Sequence, residues 1–316
     1  MEYRRLGNSG LKVSVVGLGC NNFGGMIAAL DLAASRAVID AAIDSGITLF
    51  DTADSYGANG GSEKVLGEVL GNRRHDIVLA TKFASPMNRA KSTRYDGSRR
   101  YIMQAVEASL TRLNTDYIDL YQYHFPDPDT PREETLRALD DLVRQGKVRY
   151  IGVSNMPAWK LVDAAWISRT NGLPAFVSTQ AEYNLLARDV EQSLFPALGG
   201  IGMGFLPYFP LASGLLTGKY RKGMDLPAGT RMDMPYFKGG LTEANLAKLE
   251  QLFDFAQSRG HTLLELAFAW LLAHPLVSSV IAGATKPEQV RANAAAHGWV
   301  LSPADLAEID ALKLTQ

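Results

Sequence analysis

The sequence predicts a single (β/α)8 barrel over residues 1–316. Three observations carry that expectation. Eight strand-like runs alternate with amphipathic helical stretches along the chain. The strand runs are short and apolar on both faces, as buried parallel strands are. No linker or low-complexity segment divides them. A barrel of this kind takes about 250 residues, and more with insertions. A doubly wound open sheet is the competing architecture, since it uses the same alternation.

The elements read in order. "VSVVGLG" (13–19) is the first strand, and "AASRAVIDAAIDSG" (33–46) the helix after it, ending at Gly46 as a C-cap. "ITLF" (47–50) is a strand, and "SEKVLGEVL" (62–70) a helix opening on Ser62 as an N-cap. "DIVLAT" (76–81) precedes the helix "RRYIMQAVEASLTRL" (99–113). Strands 117–123, 148–153, 176–180 and 202–207 alternate with helices 132–146, 157–169 and 190–198. After a longer loop come helices near 242–258 and 262–273, a strand at 278–283, and helices near 287–296 and 303–313. "GLGCNNFGG" (17–25) begins like a dinucleotide fingerprint, but Asn22 stands where the third glycine belongs. Gly17 and Gly19 therefore read as a strand-to-loop turn.

Composition narrows the function. Hydrophobic residues make up 47% and the formal net charge is −1, so nothing favours nucleic acid or an anionic membrane as a partner. No apolar run approaches the roughly 20 residues that span a bilayer. The opening "MEYRRLGNSG" lacks the apolar centre of a signal peptide. The single cysteine, Cys20, excludes an intrachain disulfide and fits the cytoplasm. The five histidines show no metal-ligand spacing, so no metal is expected.

The chemistry sits at the strand ends. Asp51 follows "TLF", Lys82 follows "LAT", His124 follows "YQY", Ser154 and Asn155 follow "IGV", Gln180 follows "VST", and Tyr208 follows "FLP". In a (β/α)8 barrel these points surround one mouth, where active sites form. Any one of them alone reads as a polar strand cap; a consecutive series does not. Tyr56 lies in the loop after Asp51. A phenol with a pKa of about 10 is a poor acid or base near neutrality. A neighbouring ammonium, Lys82, is expected to lower that value, with Asp51 as its counter-ion. His124 would orient a substrate oxygen. Asp51, Tyr56, Lys82 and His124 thus form a proton-transfer set without a nucleophile or a metal. It suits protonation of an alkoxide forming on a carbonyl, with electrons supplied by a hydride-carrying cofactor.

The chain resembles the aldo-keto reductase superfamily along nearly its whole length. The motifs are "FDTADSYG", "LATK", "YQYH", "GVSN", "QAEYN", "LASGLLTGKY" and "GATKPEQVRAN", and the arrangement is similar to the bacterial branch related to potassium-channel β-subunits. The resemblance implies that Tyr56 is the general acid, that Lys82 and Asp51 tune it, and that His124 polarises the carbonyl. It implies that Ser154, Asn155 and Gln180 hold the nicotinamide carboxamide and that Tyr208 stacks on the ring. Leu211, Ser213, Gly214, Leu216 and Lys219 would strap the pyrophosphate. Gly283, Thr285, Lys286, Gln289 and Asn293 would bind the adenosine end. The last segment also fits an anion site unaided, because Pro287 opens a helix beside a lysine. Taken singly, it also reads as an ordinary helix cap, and "LASGLLTGKY" as a surface loop.

Two departures from the family stand out. Phe209 replaces a serine common in relatives, and Thr285 replaces a basic residue, the charge falling on Lys286 instead. NADPH is expected in preference to NADH. Asn22, Phe23, Phe83 and Phe125 are the expected substrate lining, with Tyr56 and Tyr208. The basic stretch 84–100 reads as a solvated loop or as a lid for anionic substrates. The leading function is reduction of aldehydes or ketones. The alternatives are an alcohol or sugar dehydrogenase running in oxidation, and a cofactor-sensing regulatory subunit.

Overall fold

The computed structural model describes residues 1–25, 30–86, 95–223, 232, 240–312 and 314. Before the barrel comes a hairpin that the sequence pattern does not reveal. β1 (Tyr3–Arg5) and β2 (Lys12–Ser14) pair antiparallel, with Tyr3 opposite Ser14. Fully buried Leu6 and Val13 share an apolar cluster with Leu49, Ala80, Leu120, Leu206 and Ile281. Those five come from five different barrel strands, so the hairpin stoppers the end of the barrel opposite Asp51 and Lys82. The expected strand 13–19 is therefore two strands. The break falls at Val15, where the Ser14 hydroxyl donates to the Val16 carbonyl at 2.6 Å and accepts from the Thr48 amide at 2.9 Å.

Eight parallel strands follow: β3 (Val16–Gly19), β4 (Leu49–Asp51), β5 (Val78–Phe83), β6 (Ile118–Tyr123), β7 (Val148–Ser154), β8 (Ser178–Glu182), β9 (Gly204–Tyr208) and β10 (Val280–Gly283). β10 pairs with β3, and the rest pair in sequence order. The ring closes between β9 and β10. There the Phe205 amide donates to the Leu276 carbonyl, and the Ser278 amide to the Phe205 carbonyl, each at 2.9 Å. The expected (β/α)8 barrel is the fold; the open sheet is not. Gly17 and Gly19 lie inside β3, not in a turn.

Ten α-helices are described: α1 (Leu32–Asp44), α2 (Gly61–Leu70), α3 (Arg99–Leu113), α4 (Arg132–Arg144), α5 (Ala158–Asn171), α6 (Val190–Ile201), α7 (Glu243–Ser258), α8 (Leu263–Ala273), α9 (Pro287–Ala295) and α10 (Pro303–Ala311). Side chains that can accept from free amides mark several starts: Asp31 for α1, Ser98 for α3, and reciprocal capping boxes at Thr262 for α8 and Ser302 for α10. Ser62 does not cap α2 as expected. The helix starts one residue earlier, and the buried Ser62 hydroxyl donates to the Cys20 carbonyl at 2.7 Å and bonds the Thr52 hydroxyl at 2.8 Å. It ties the helix to the loop that carries the site.

Alternation along each strand sorts its side chains between the barrel interior and the helix layer. Tyr121, Tyr123 and Phe83 stack behind the sheet, with ring centroids 4.8 and 5.1 Å from Phe83. Lys82, adjacent to Phe83, therefore faces inward.

The hairpin turn has one strict requirement. Gly7 has φ +57°, and a Cβ there would lie 2.6 Å from the Gly204 amide nitrogen and 2.7 Å from the Val177 carbonyl oxygen. Both obstacles are backbone. Gly7→Ala is expected to lower the unfolding free energy by about 1–3 kcal/mol or more, from the left-handed conformation and the forced shift. A denaturant titration measures it; an unchanged midpoint would mean that the hairpin is not held against β9.

Candidate active site

The strand tips converge. Lys82, 1% exposed, places Nζ 2.6 Å from Asp51 Oδ2. The same ammonium donates to the Thr52 carbonyl at 3.0 Å and to the Tyr56 hydroxyl at 3.3 Å. Three acceptors match its three N–H bonds. The other Asp51 oxygen, Oδ1, accepts from Gln122 Nε2 at 3.0 Å and Gln180 Nε2 at 2.6 Å. Gln180 Nε2 also donates to Gln122 Oε1 at 3.0 Å. A buried ion pair is tolerable only when its remaining lone pairs and protons are satisfied, and these are. Gln122 escapes sequence reading because it lies inside the aromatic run "YQY"; only its inward register, opposite Lys82, marks it.

Tyr56 is half-buried on a tightly folded segment. Its amide donates to the Ala53 carbonyl, and its carbonyl accepts from the Ser62 amide, each at 3.1 Å. Gly57 follows at φ +72°, where a Cβ would lie 2.8 Å from the Phe23 carbonyl oxygen. That close approach fixes where the phenol leaves the backbone. The His124 ring meets the Tyr56 ring edge-on, with centroids 5.7 Å apart and planes at 81°. All four residues of the expected proton-transfer set therefore lie together.

The electrostatics differ from expectation in one respect. Burial pushes the Tyr56 phenol up; the Lys82 ammonium opposes this, and the Asp51 charge adds to it, so the pKa is raised, not lowered. Burial is the largest cause, and Asp51, 2.6 Å from the ammonium, adds to it. Burial pulls Lys82 down, but the Asp51 charge and the bonds to Asp51 and Tyr56 outweigh it, so Lys82 is raised. The site keeps both protons through neutral pH.

Around this centre lie the other expected residues. Asn155, at φ +55°, bonds the His124 carbonyl at 3.1 Å and the Ser154 hydroxyl at 2.9 Å through Nδ2, and its Oδ1 accepts from Tyr208 at 3.0 Å. Leu211, Ser213 and Gly214 belong to the irregular turn after β9, where Ser213 and Gly214 take φ +58° and +106°. Lys219 is exposed, with Nζ 3.7 Å from where a Gly214 Cβ would sit. The Leu216 side chain is fully buried, and its amide donates to the Leu211 carbonyl at 3.1 Å. Gly283 and Lys286 are exposed, and Lys286 stands at the N-cap of α9 with no side-chain cap. Gln289 Oε1 accepts from the Thr285 amide at 2.7 Å, and Asn293 is buried on the same helix.

The expected substrate lining divides. Phe125 is half-buried, stacked on His124 at 4.6 Å and on Tyr95 at 5.1 Å. Tyr95, which sequence reasoning does not single out, joins it beside the histidine. Phe23 and Phe83 are fully buried in the apolar core. Asn22 is buried and its Nδ2 donates to the Ala284 carbonyl at 3.1 Å, which ties the loop after β3 to the end of β10. Within the stretch 84–100, residues 87–94 lie outside the described residues. Among the described residues no helix is long and apolar enough to cross a membrane, and no group of three or more acidic, histidine or cysteine residues could hold a metal ion.

A (β/α)8 barrel with a buried ammonium hydrogen-bonded to a phenol at its mouth suits an oxidoreductase. The chain belongs to the Aldo/keto reductase family, whose sequence profile matches residues 15–314. It is 38% identical to a probable voltage-gated potassium channel subunit beta of Arabidopsis thaliana, over 93% of this chain and 90% of that one. It is 36% identical to L-glyceraldehyde 3-phosphate reductase of Escherichia coli (98% and 92% covered) and to versiconal hemiacetal acetate reductase of Aspergillus parasiticus (90% and 90%).

Ultraviolet difference titration of wild type against Tyr56→Phe isolates the one phenol. Its ionisation is expected above the usual tyrosine value of about 10. Ionisation below that value would mean that the Lys82 ammonium outweighs burial and the Asp51 charge.

Proposed function

We propose that this chain is an NADPH-dependent reductase of aldehydes and ketones in which Tyr56 is the general acid. The observation that carries the reading is Lys82 Nζ, placed 2.6 Å from Asp51 and 3.3 Å from the Tyr56 hydroxyl. When bound, the nicotinamide supplies hydride to the carbonyl carbon. Tyr56 presents its proton where the alkoxide oxygen forms. Lys82 stabilises the phenolate left behind, and Asp51 with its two glutamine partners keeps the ammonium aimed. His124 flanks the same position and orients the carbonyl oxygen, while Phe125 and Tyr95 wall the substrate. Ser154, Asn155, Gln180 and Tyr208 would hold the nicotinamide end.

The residues present fit the cofactor. The start of α9 carries the positive end of the helix dipole, no side chain caps it, and Lys286 adds charge there. Lys219 offers a second cation over the irregular turn after β9. A raised Tyr56 pKa keeps the acid loaded at neutral pH and favours reduction over oxidation. Single, buried Cys20 fits a cytoplasmic setting.

Tyr56→Phe deletes only the proton donor. Turnover with generic aldehydes, followed at the nicotinamide absorbance, is expected to fall about 10²–10⁴-fold with NADPH binding nearly intact. Retained turnover would make another group the acid. A wild type that fails to oxidise NADPH with any carbonyl offered, yet captures a partner protein, would favour a regulatory role.

Lys286→Ala is expected to weaken NADPH binding far more than NADH binding, because the ammonium would face the 2′-phosphate. Equal losses, measured by fluorescence titration, would assign Lys286 to general support of its loop.

A further inference from the structure

Behind the segment that carries Asp51 and Tyr56 lies a second set of buried ionisable groups that the proposed chemistry does not use. Asp54 is 1% exposed and Glu63 is 0% exposed. Glu63 is fully committed. Its Oε1 accepts from the Thr81 hydroxyl at 2.6 Å, and its Oε2 from Arg112 Nε at 2.7 Å. Asp54 is not. Its Oδ2 accepts from the Tyr101 hydroxyl at 3.3 Å, and its Oδ1 has no hydrogen-bond partner. The hydroxyl of Tyr121, fully buried on β6, has none either.

The groups that act on Asp54 come from three elements. Glu63 belongs to α2, Tyr101 and Arg112 to α3, and Tyr121 to β6. Only Arg112 is cationic, and its Nε is held by Glu63. A carboxylate here would add a second negative charge to a dry space whose cation is already engaged. Burial first, and the Glu63 charge second, accordingly push the Asp54 carboxyl well up.

Asp54 lies two residues before Tyr56, and its amide donates to the Lys82 carbonyl at 3.1 Å. Moving it moves both ends of the Lys82–Tyr56 contact. We propose that Asp54 is a positioning residue that, as the neutral acid, holds the segment aiming Tyr56 at Lys82, and that ionising it releases that segment. This rests on the reading of Tyr56 as the general acid.

Two variants separate charge from shape. Asp54→Asn mimics the neutral acid and cannot ionise. Asp54→Leu removes the polar contacts. Asp54→Asn is expected to keep most of its turnover at neutral pH and to hold it further into the alkaline range than wild type. Asp54→Leu is expected to lower kcat about tenfold or more with unchanged NADPH affinity, since a misplacement of about 1 Å can cost about 10²-fold. Stability gives a readout independent of activity. A carboxyl whose folded pKa is raised binds more protons folded than unfolded. Wild-type stability therefore declines as pH rises from the free carboxylate value, about 3.9, towards the folded one. Asp54→Asn escapes that decline, so its denaturant midpoint should exceed wild type at neutral pH, and the gap should close in acid. A lower midpoint at neutral pH, or a pH–rate profile superimposable on wild type, would overturn the proposal. An undiminished Tyr56→Phe would overturn the general-acid reading instead, whatever Asp54 does.

Discussion

The buried contact between Lys82 and Asp51 is the constraint on which the rest of the mouth depends. An ammonium 1% exposed cannot remain charged without a partner, and a carboxylate beside it cannot leave lone pairs unmet. Gln122 and Gln180 meet them from two further strands. Four strands thereby contribute to one hydrogen-bonded centre, which no small set of neighbours in sequence could build. The closed ring makes this possible: Lys82 and Gln122 are register partners on β5 and β6, and the Lys82 side chain reaches Asp51, which stands opposite Ala80.

That pairing also sets the character of the phenol. A free ammonium would draw the Tyr56 pKa down; one already neutralised leaves burial in control. On the proposed reading the site is therefore an acid at rest, loaded for reduction. The balance is local. It depends on one 2.6 Å contact, and any bound group that brings positive charge to the mouth would shift it.

Much of this was legible in the sequence, for a physical reason. A parallel strand buried on both faces is an apolar run, so a polar residue at its end is conspicuous, and Asp51, Lys82, His124 and Gln180 all stand out in that way. What failed to show is equally instructive. The N-terminal hairpin has strands of three residues, too short for alternation to register. Gln122 sits inside its run, where burial hides a polar residue among aromatics. The full burial of Phe23 and Phe83 is also hidden, because an aromatic ring looks alike in sequence whichever way it points. Strict alternation from Lys82 would have turned Phe83 outward. Ser62 reads as a cap because serine caps helices, yet its hydroxyl serves the neighbouring loop instead.

The hairpin under the barrel has a consequence for how the molecule can vary. With Leu6 and Val13 packed against residues of five barrel strands, one end of the barrel is committed to the core. The opposite end, where Asp51 and Lys82 meet, is left for chemistry. Loops can diverge there while the sealed floor leaves the scaffold free to stay constant beneath them.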